Sequence, residues 1–351
     1  MISTDVAVIG AGQAGLAAAD ALRRQGIGAV VLEASGSPAG SWPHYYDSLT
    51  LFSPARFSAL PGMPFDGDPD HYPHRDEVVD YLLRYAERTS TDVRTGIRVE
   101  RVRQNADGSF LLEHRGGGQM RARAVVAATG SFGSPHRPGL PGLDGFGGAV
   151  LHAADYRGPS QLAGQRVVVV GAGNSAVQIA VELAHHARTT LATRAPVKFA
   201  RQRPLGRDLH SWLALSGLDT APLGRFLRRP PAQPVLDDGR YRAALASRRP
   251  DRAAVFASLG ERTVTWPDGR VEEVDAIVLA TGYRPHLPYL ADLGALHPDG
   301  RPRQRAGIST THPGLAYVGL EWQRSLSSNT LRGVGRDAAF VAGRLRRLLA
   351  A

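Results

Sequence analysis

Two stretches of the chain share one pattern of apolar and polar positions. Residues 6–15 read VAVIGAGQAG and residues 167–176 read VVVVGAGNSA. Each is a short apolar run, a Gly-x-Gly-x-x-Gly/Ala turn, and then apolar positions at helical spacing. These run from Leu16 to Leu22 in the first copy and from Val177 to Leu183 in the second. A second apolar run follows each helix, at Gly28–Glu33 and Thr189–Arg194. The pattern predicts two strand–helix–strand units, each opening a parallel sheet.

A further echo supports this. Ala124–Gly130 reads AVVAATG and Ala276–Gly282 reads AIVLATG. Both read as buried parallel strands that end in Ala-Thr-Gly. Alternation at Ile97–Arg103, Ser109–His114 and Gln119–Arg123, broken by glycine turns, predicts a β-meander. Leu331–Ala351 carries an apolar stripe at helical spacing, and Pro204–Pro234 reads as a long excursion with short helices. The expected fold class is α/β, with two Rossmann-like dinucleotide-binding domains. The second is inserted into the first: residues 1–157 and 277–351 form one, and 158–276 the other.

Composition narrows the chemistry. At 351 residues, 43% hydrophobic and 21% charged, the chain is globular and long enough for about two domains. It has no cysteine, which excludes disulfide scaffolds, iron–sulfur clusters and dithiol redox centres. The net charge of +10 is carried by scattered arginines, with Lys198 the lone lysine. Without a clustered stripe and interleaved aromatics, no nucleic-acid partner is expected. A strand from Asp5 leaves no room for a leader, and no apolar run approaches the ~20 residues that span a bilayer. The expected location is the cytoplasm, with no membrane partner. No histidine set has metal-ligand spacing: His71 and His74 stand with Arg75, and His185 and His186 diverge on a helix.

The glycine loops then define two ligands. Gly10 permits the tight turn, Gly12 a close backbone approach to a diphosphate, and Gly15 close packing of helix on strand. The helix N-terminus suits the phosphates. Glu33 closes the second strand, where a carboxylate accepts ribose hydroxyls and repels a 2′-phosphate. The first site therefore wants an unphosphorylated adenosine dinucleotide. The second loop has Gly171, Gly173 and Ala176, with Asn174 and Ser175 placed to cap the helix or donate to the diphosphate. At the position equivalent to Glu33 stand Thr193 and Arg194, and a guanidinium there suits a 2′-phosphate. The strand ends Thr129-Gly130 and Thr281-Gly282 allow close approach to each ligand. NADPH in the second site and FAD in the first would pass hydride from nicotinamide to flavin.

Residues 146–156, FGGAVLHAADY, fit the string F-x-G-x-x-x-H-x-x-x-Y through Phe146, Gly148, His152 and Tyr156. Together with Gly40-Ser41-Trp42, Gly282-Tyr283 and the stretches 45–62 and 319–338, the chain resembles the flavin-containing monooxygenase-like family. This is the class B flavoprotein monooxygenases, here their compact bacterial subgroup with arsenic-operon-type flavoproteins. The resemblance implies a glutathione-reductase-like fold holding FAD and NADPH. It implies a monooxygenase that passes one oxygen atom of O2, through a flavin C4a-hydroperoxide, to nitrogen or sulfur of a small substrate. It places Gly40 and Trp42 near the flavin, gives His152 a role in cofactor positioning, and sets Glu321, Trp322 and Gln323 beside the active site. It aims the N-terminus of the last helix at the flavin pyrimidine edge, and a homodimer is the assembly to test. A reductase of the same architecture, passing electrons to a quinone or ferredoxin, is the second reading. A redox sensor without turnover is the third.

Overall fold

The computed structural model describes residues 2–227, 231 and 233–350. β1 (Ile2–Ile9) ends in four buried residues, Val6 to Ile9. The glycine turn leads into α1 (Gln13–Arg24), and β2 (Ala29–Leu32) returns parallel to β1. α2 (Arg75–Arg88) starts at a capping box in which the Glu77 carboxylate accepts the His74 backbone N–H. β3 (Asp92–Arg94) then extends the sheet beyond β2.

β4 (Val99–Gln104), β5 (Phe110–His114) and β6 (Gly118–Ala127) form the expected antiparallel meander. The strands expected at Gln119–Arg123 and Ala124–Gly130 are in fact one, β6. Its first half alternates buried and exposed because only β5 and the start of β1 flank it. Its second half, Ala124–Ala127, is wholly buried between β1 and the later strand Leu315–Tyr317. Burial on both faces erases the period-2 signal, so the sequence pattern splits at a point where the backbone does not.

The second unit begins with β7 (Ala149–His152), β8 (Arg166–Val170), α3 (Asn174–Leu183) and β9 (Arg188–Thr193). β10 (Phe199–Arg201) and β11 (Val235–Asp237) pair around the expected excursion, which carries α4 (Leu209–Leu215). Residues 228–230 and 232 of that excursion lie outside the described residues. α5 (Arg240–Ala246) and β12 (Asp251–Ala254) follow. Then come the small antiparallel strands β13 (Ser258–Leu259), β14 (Thr263–Thr265) and β15 (Val271–Glu273), and β16 (Ala276–Leu279). The large sheet of this unit is parallel throughout, in the order β12-β9-β8-β16-β7.

This order corrects the expected boundaries. β7 lies before residue 158 and β16 runs past residue 276, yet both belong to the second sheet. β16 is a fully buried strand and needs a partner on each side, which β8 and β7 supply. The chain returns to the first sheet as β17 (Gln304–Arg305), β18 (Ile308–Ser309) and β19 (Leu315–Tyr317). That sheet runs β17-β18-β19-β6-β1-β2-β3. α6 (Leu331–Ala350) closes the chain and packs with α1 on one face, where Leu16, Leu22, Val334, Val341 and Leu345 share a core. Among the described residues no helix is long and apolar enough to cross a membrane, and no cluster of three His, Asp or Glu could hold a metal ion.

One core charge has a measurable consequence. Asp337 on α6 is buried. One of its carboxylate oxygens meets Arg324 at 3.3 Å, and among the described residues the other has no hydrogen-bond partner. Burial pushes its pKa up to about 6, against the pull of Ser328 and Arg324. The folded state therefore binds this proton more tightly than the unfolded chain, and stability falls as pH rises from about 4 to 6. Asp337→Asn is expected to raise the urea midpoint at pH 8 and to leave it unchanged near pH 4. An equal gain at both values would refute the assignment.

Candidate functional site

The first glycine loop is built by close approach. Gly10 has φ +100°, and a Cβ there would lie 2.9 Å from the Ala128 carbonyl. A Cβ on Gly15 would lie 1.7 Å from the Gly10 carbonyl, so α1 can seat on the loop only through glycine. Gly40, at φ +57°, presses against Gly12, with 2.7 Å between its absent Cβ and the Gly12 Cα. Glu33 is buried at the end of β2. One carboxylate oxygen accepts the Ala11 N–H at 2.6 Å, and the other accepts the Ser35 N–H at 2.8 Å and hydroxyl at 2.9 Å. The loop that would hold a diphosphate is thus tied directly to the residue that would hold its ribose.

A cleft of about 1310 Å³ opens from this loop. Gly10, Gly12, Glu33, Gly40, Trp42, Thr129 and Gly130 all line it, as expected of a first dinucleotide site. Gly15 lies behind the loop as a packing residue. One wall is a run of rings: Trp42 and Tyr45 at 5.5 Å, Tyr45 and Phe132 at 4.6 Å, Phe132 and Tyr283 at 5.5 Å. Burial pushes the Tyr45 hydroxyl up to about 12, so it stays protonated. Glu321, Trp322, Gln323 and Asn329 also line the cleft, and burial raises the Glu321 carboxyl. Trp42 donates its indole N–H to Gln13 at 3.2 Å, and Gln13 donates to the Asn329 carbonyl at 2.7 Å. This relay links the ring wall to the approach of α6. Sequence reasoning gave no role to Gln13, Tyr45, Phe132 and Asn329: Gln13 is a variable position of the first glycine loop, and Tyr45 and Asn329 fall in the stretches 45–62 and 319–338, which were matched only as wholes.

The second loop lies outside this cleft. Gly171 takes φ +147°, where a Cβ would meet the Ala280 carbonyl at 2.3 Å. Gly173 caps α3, and Asn174 and Ser175 open its first turn. β9 ends at Thr193, and Arg194 follows, exposed. Burial lowers the His136 pKa, and the charges of Arg284 and Arg194 lower it further. Two exposed cations, Arg194 after β9 and Arg284 after β16, therefore stand near His136 at the carboxyl ends of the second sheet, where open parallel sheets bind ligands.

Between the two sheets the chain crosses twice, and the crossings pair. His136 donates its N–H to Gly282, His286 to Gly130, and Arg284 to Ser134, each at 2.9 Å. Thr129 donates its hydroxyl to the His286 carbonyl, and Thr281 to the His136 carbonyl, each at 2.5 Å. Each Ala-Thr-Gly strand end is thus tied to the opposite crossing. Thr281 and Gly282, expected against a ligand, face this hinge and do not line the cleft.

The F-x-G-x-x-x-H-x-x-x-Y string braces the same region. Phe146 is buried, and a Cβ on Gly148 would meet its ring at 2.5 Å. The Tyr156 hydroxyl donates to Glu182 on α3 at 2.7 Å, and its ring lies 6.2 Å from Tyr46. His152 is fully buried. Its Nδ1 accepts the Ala154 N–H at 3.1 Å, so its Nε2 carries the proton and donates to the Gly282 carbonyl at 3.1 Å. Burial depresses its pKa. It meets the cleft only through the ring of Tyr283, 5.0 Å away and edge-on. The excursion docks back on the first unit: Arg332 forks onto the Asp219 carboxylate at 2.9–3.1 Å, and Ser327 donates to the Asp219 carbonyl at 2.7 Å.

A cleft fed by one glycine loop, with a second such loop across a paired hinge, defines a two-dinucleotide oxidoreductase. Residues 7–214 match the pyridine nucleotide-disulphide oxidoreductase family, and the chain belongs to it. With no cysteine, it lacks the disulphide half of that family's chemistry. It is 32% identical over 341 residues to the uncharacterized oxidoreductase CzcO-like of Geobacillus kaustophilus, covering 96% of this chain and 97% of that protein. It is 34% identical over 379 residues to the rice indole-3-pyruvate monooxygenase YUCCA1, covering 95% and 89%. The flavin-containing monooxygenase of Stenotrophomonas maltophilia superposes with a TM-score of 0.87 at 33% identity, over 99% of both chains. The resemblance to flavin-containing monooxygenase-like proteins with compact bacterial members therefore holds. The chain is an oxidoreductase of the flavin-dependent monooxygenase type, using flavin and nicotinamide cofactors. The residues present fit the flavin: the glycine cradle leaves no room for side chains, and Glu33 lines the cleft beside it.

The position of His152 yields a test. Its folded pKa lies below the ordinary 6.5, so its contribution to stability is present above that value and lost as pH falls through it. His152→Gln is expected to cost roughly 1–3 kcal/mol in urea unfolding at pH 8. It is also expected to shrink the acid loss below about pH 6.5 while flavin retention persists. Loss of flavin with unchanged stability would reverse the assignment.

Proposed function

We propose that the protein is an NADPH- and FAD-dependent monooxygenase that transfers one oxygen atom of O2 to nitrogen or sulfur of a small substrate. The observation that carries this reading is the cysteine-free cleft walled by Trp42, Tyr45, Phe132 and Tyr283. A dithiol reductase needs a redox pair there, whereas oxygen transfer needs a wall that keeps water out. When bound, the flavin supplies the two-electron and oxygen chemistry.

The side chains bind and orient. The first glycine loop and the start of α1 hold the FAD diphosphate, and Glu33 holds the adenosine ribose. Gly40 keeps its segment against that loop, and Trp42 is oriented by Gln13. Gly171, Gly173, Asn174 and Ser175 hold the NADPH diphosphate, and Arg194 with Thr193 holds the 2′-phosphate. α6 begins two residues after Asn329, which lines the cleft, and the positive end of this helix would favour negative charge on a flavin bound there. His152 positions the cofactors through the hinge and transfers no proton. The first sheet with α6 forms the FAD-binding unit and the second sheet the NADPH-binding unit. A homodimer in the cytoplasm belongs to the same reading.

Two measurements test it. Arg194→Ala is expected to raise the KM for NADPH about tenfold or more while leaving that for NADH within about twofold. Equal effects would remove the 2′-phosphate assignment. Anaerobic reduction by NADPH followed by mixing with O2 is expected to give a transient near-ultraviolet absorbance before the oxidised spectrum returns. Direct reoxidation with stoichiometric peroxide, in every candidate amine and thioether supplied, would favour a reductase.

A further inference from the structure

Large apolar side chains left in water are concentrated on one segment. Among the described residues nine large hydrophobics are exposed, and six of them fall in the excursion: Leu205, Leu215, Leu218, Leu223, Phe226 and Leu227. Leu205 is 89% exposed and Leu215 75%. Single exposed apolar residues are ordinary, whereas a cluster of them marks an interaction surface. The excursion is held in this form. Leu205 has φ +52°, a left-handed conformation that side chains avoid. Trp212 on α4 donates its indole N–H to the Pro204 carbonyl at 3.0 Å, which brings Leu205 beside the helix that ends at Leu215.

The charges of the same segment divide by sign. Its two acids, Asp208 and Asp219, are spent inward. Asp208 accepts from Tyr72 at 2.5 Å, from Gln202 at 2.7 Å and from the His210 ring at 2.7 Å. Asp219 is buried against Arg332 at 2.9 Å. Arg201, Arg203 and Arg207 are exposed. The carboxylates beside them are engaged elsewhere: Asp70 by Arg56, Asp237 by Arg242 and Asp238 by Arg240. The outward side of the excursion therefore combines leucines with positive charge, on a backbone fastened from within.

We propose that this side of the excursion docks on the surface of an anionic lipid bilayer. Interfacial segments of this kind set Leu and Phe at the acyl boundary and Arg among the headgroup phosphates, and they need no spanning helix. The expected absence of a membrane partner followed from the lack of a span, which such docking does not use. A second copy of the chain is disfavoured as the occupant, because the net charge is +10 and the surface itself is positive. Composition disfavours a protein partner. The energetic centres of protein interfaces are rich in Trp and Tyr and poor in Leu, and this surface is mostly Leu. Gly224 and Leu227 also line the cleft, so the docked surface borders it.

The test is co-sedimentation of the purified full chain with phosphatidylcholine vesicles, with and without phosphatidylserine. Wild type is expected to bind the phosphatidylserine vesicles about tenfold or more tightly than the neutral ones, and to lose that margin as salt rises. The triple variant Leu205→Ser, Leu215→Ser, Leu218→Ser is expected to bind about tenfold or more weakly at an unchanged melting temperature. None of these three side chains is buried or lines the cleft. Arg207→Glu is expected to lower phosphatidylserine binding about fivefold or more. Brominated lipid is expected to quench wild-type tryptophan emission, and Trp212→Phe to remove that quenching. If the triple variant proves unstable, the quenching and Arg207→Glu decide. Wild-type binding matched by the triple variant would reduce the effect to adsorption of a basic protein and overturn the proposal. So would a wild type that ignores phosphatidylserine vesicles at low salt. In that case, dimerisation lost in the triple variant would assign the surface to a second copy, and a wild-type monomer would leave it to a soluble protein.

Discussion

The cross-tied hinge is the constraint on which the rest of the structure depends. Two sheets, each with a parallel core, are each built around their own glycine loop. Hydride transfer between two dinucleotides requires that their reactive ends meet. The chain provides for this with two crossings that pair antiparallel, Thr129 and Thr281 each reaching the carbonyl of the opposite crossing. Buried backbone groups at a crossing must be paired, and here each crossing satisfies the other. Any rotation of one sheet against the other breaks at least part of this set.

Around the hinge, other contacts resist the same motion. His152 adds a second bond to the Gly282 carbonyl, Tyr156 ties the segment after β7 to α3, and Tyr46 reaches from the first unit to Gln178 on α3. On the far side, Asp219 and Arg332 close a buried ion pair between the excursion and α6. Asp208 gathers Tyr72, Gln202 and His210 where the excursion meets residues 52–72. Removing one partner of such a pair leaves a buried charge uncompensated. The two units are thus fastened on both flanks of the cleft, and the cleft wall is shared between them.

Function here rests on placement more than on reactive side chains. The imidazole that the family string singles out is neutral, doubly bonded and away from the cleft. The rings of Trp42, Tyr45 and Phe132 exclude water and offer no nucleophile. Such a site suits chemistry carried by a bound cofactor, with the protein supplying orientation, dryness and the field of α6. At the periphery, by the carboxyl ends of the second sheet, Arg194 and Arg284 stand exposed.

The glycine loops, the strands that flank them and the carboxylate at Glu33 were legible in the sequence. Each depends on local rules: a positive φ or a missing Cβ at a fixed offset, an apolar run, a residue at a strand end. The pattern of two such units, and with it the class of ligand, follows from residues near one another in the chain. Everything that joins the units was decided by tertiary structure. β16 is one of two matching Ala-Thr-Gly strands, and nothing local says which sheet it enters; its burial between β8 and β7 does. The roles of Gln13 and Asp219 could not be read from the sequence, because their partners, Asn329 and Arg332, lie far along the chain. Local propensity encodes the elements, whereas contacts between distant segments encode the cleft, and these become visible only when the backbone has brought them together.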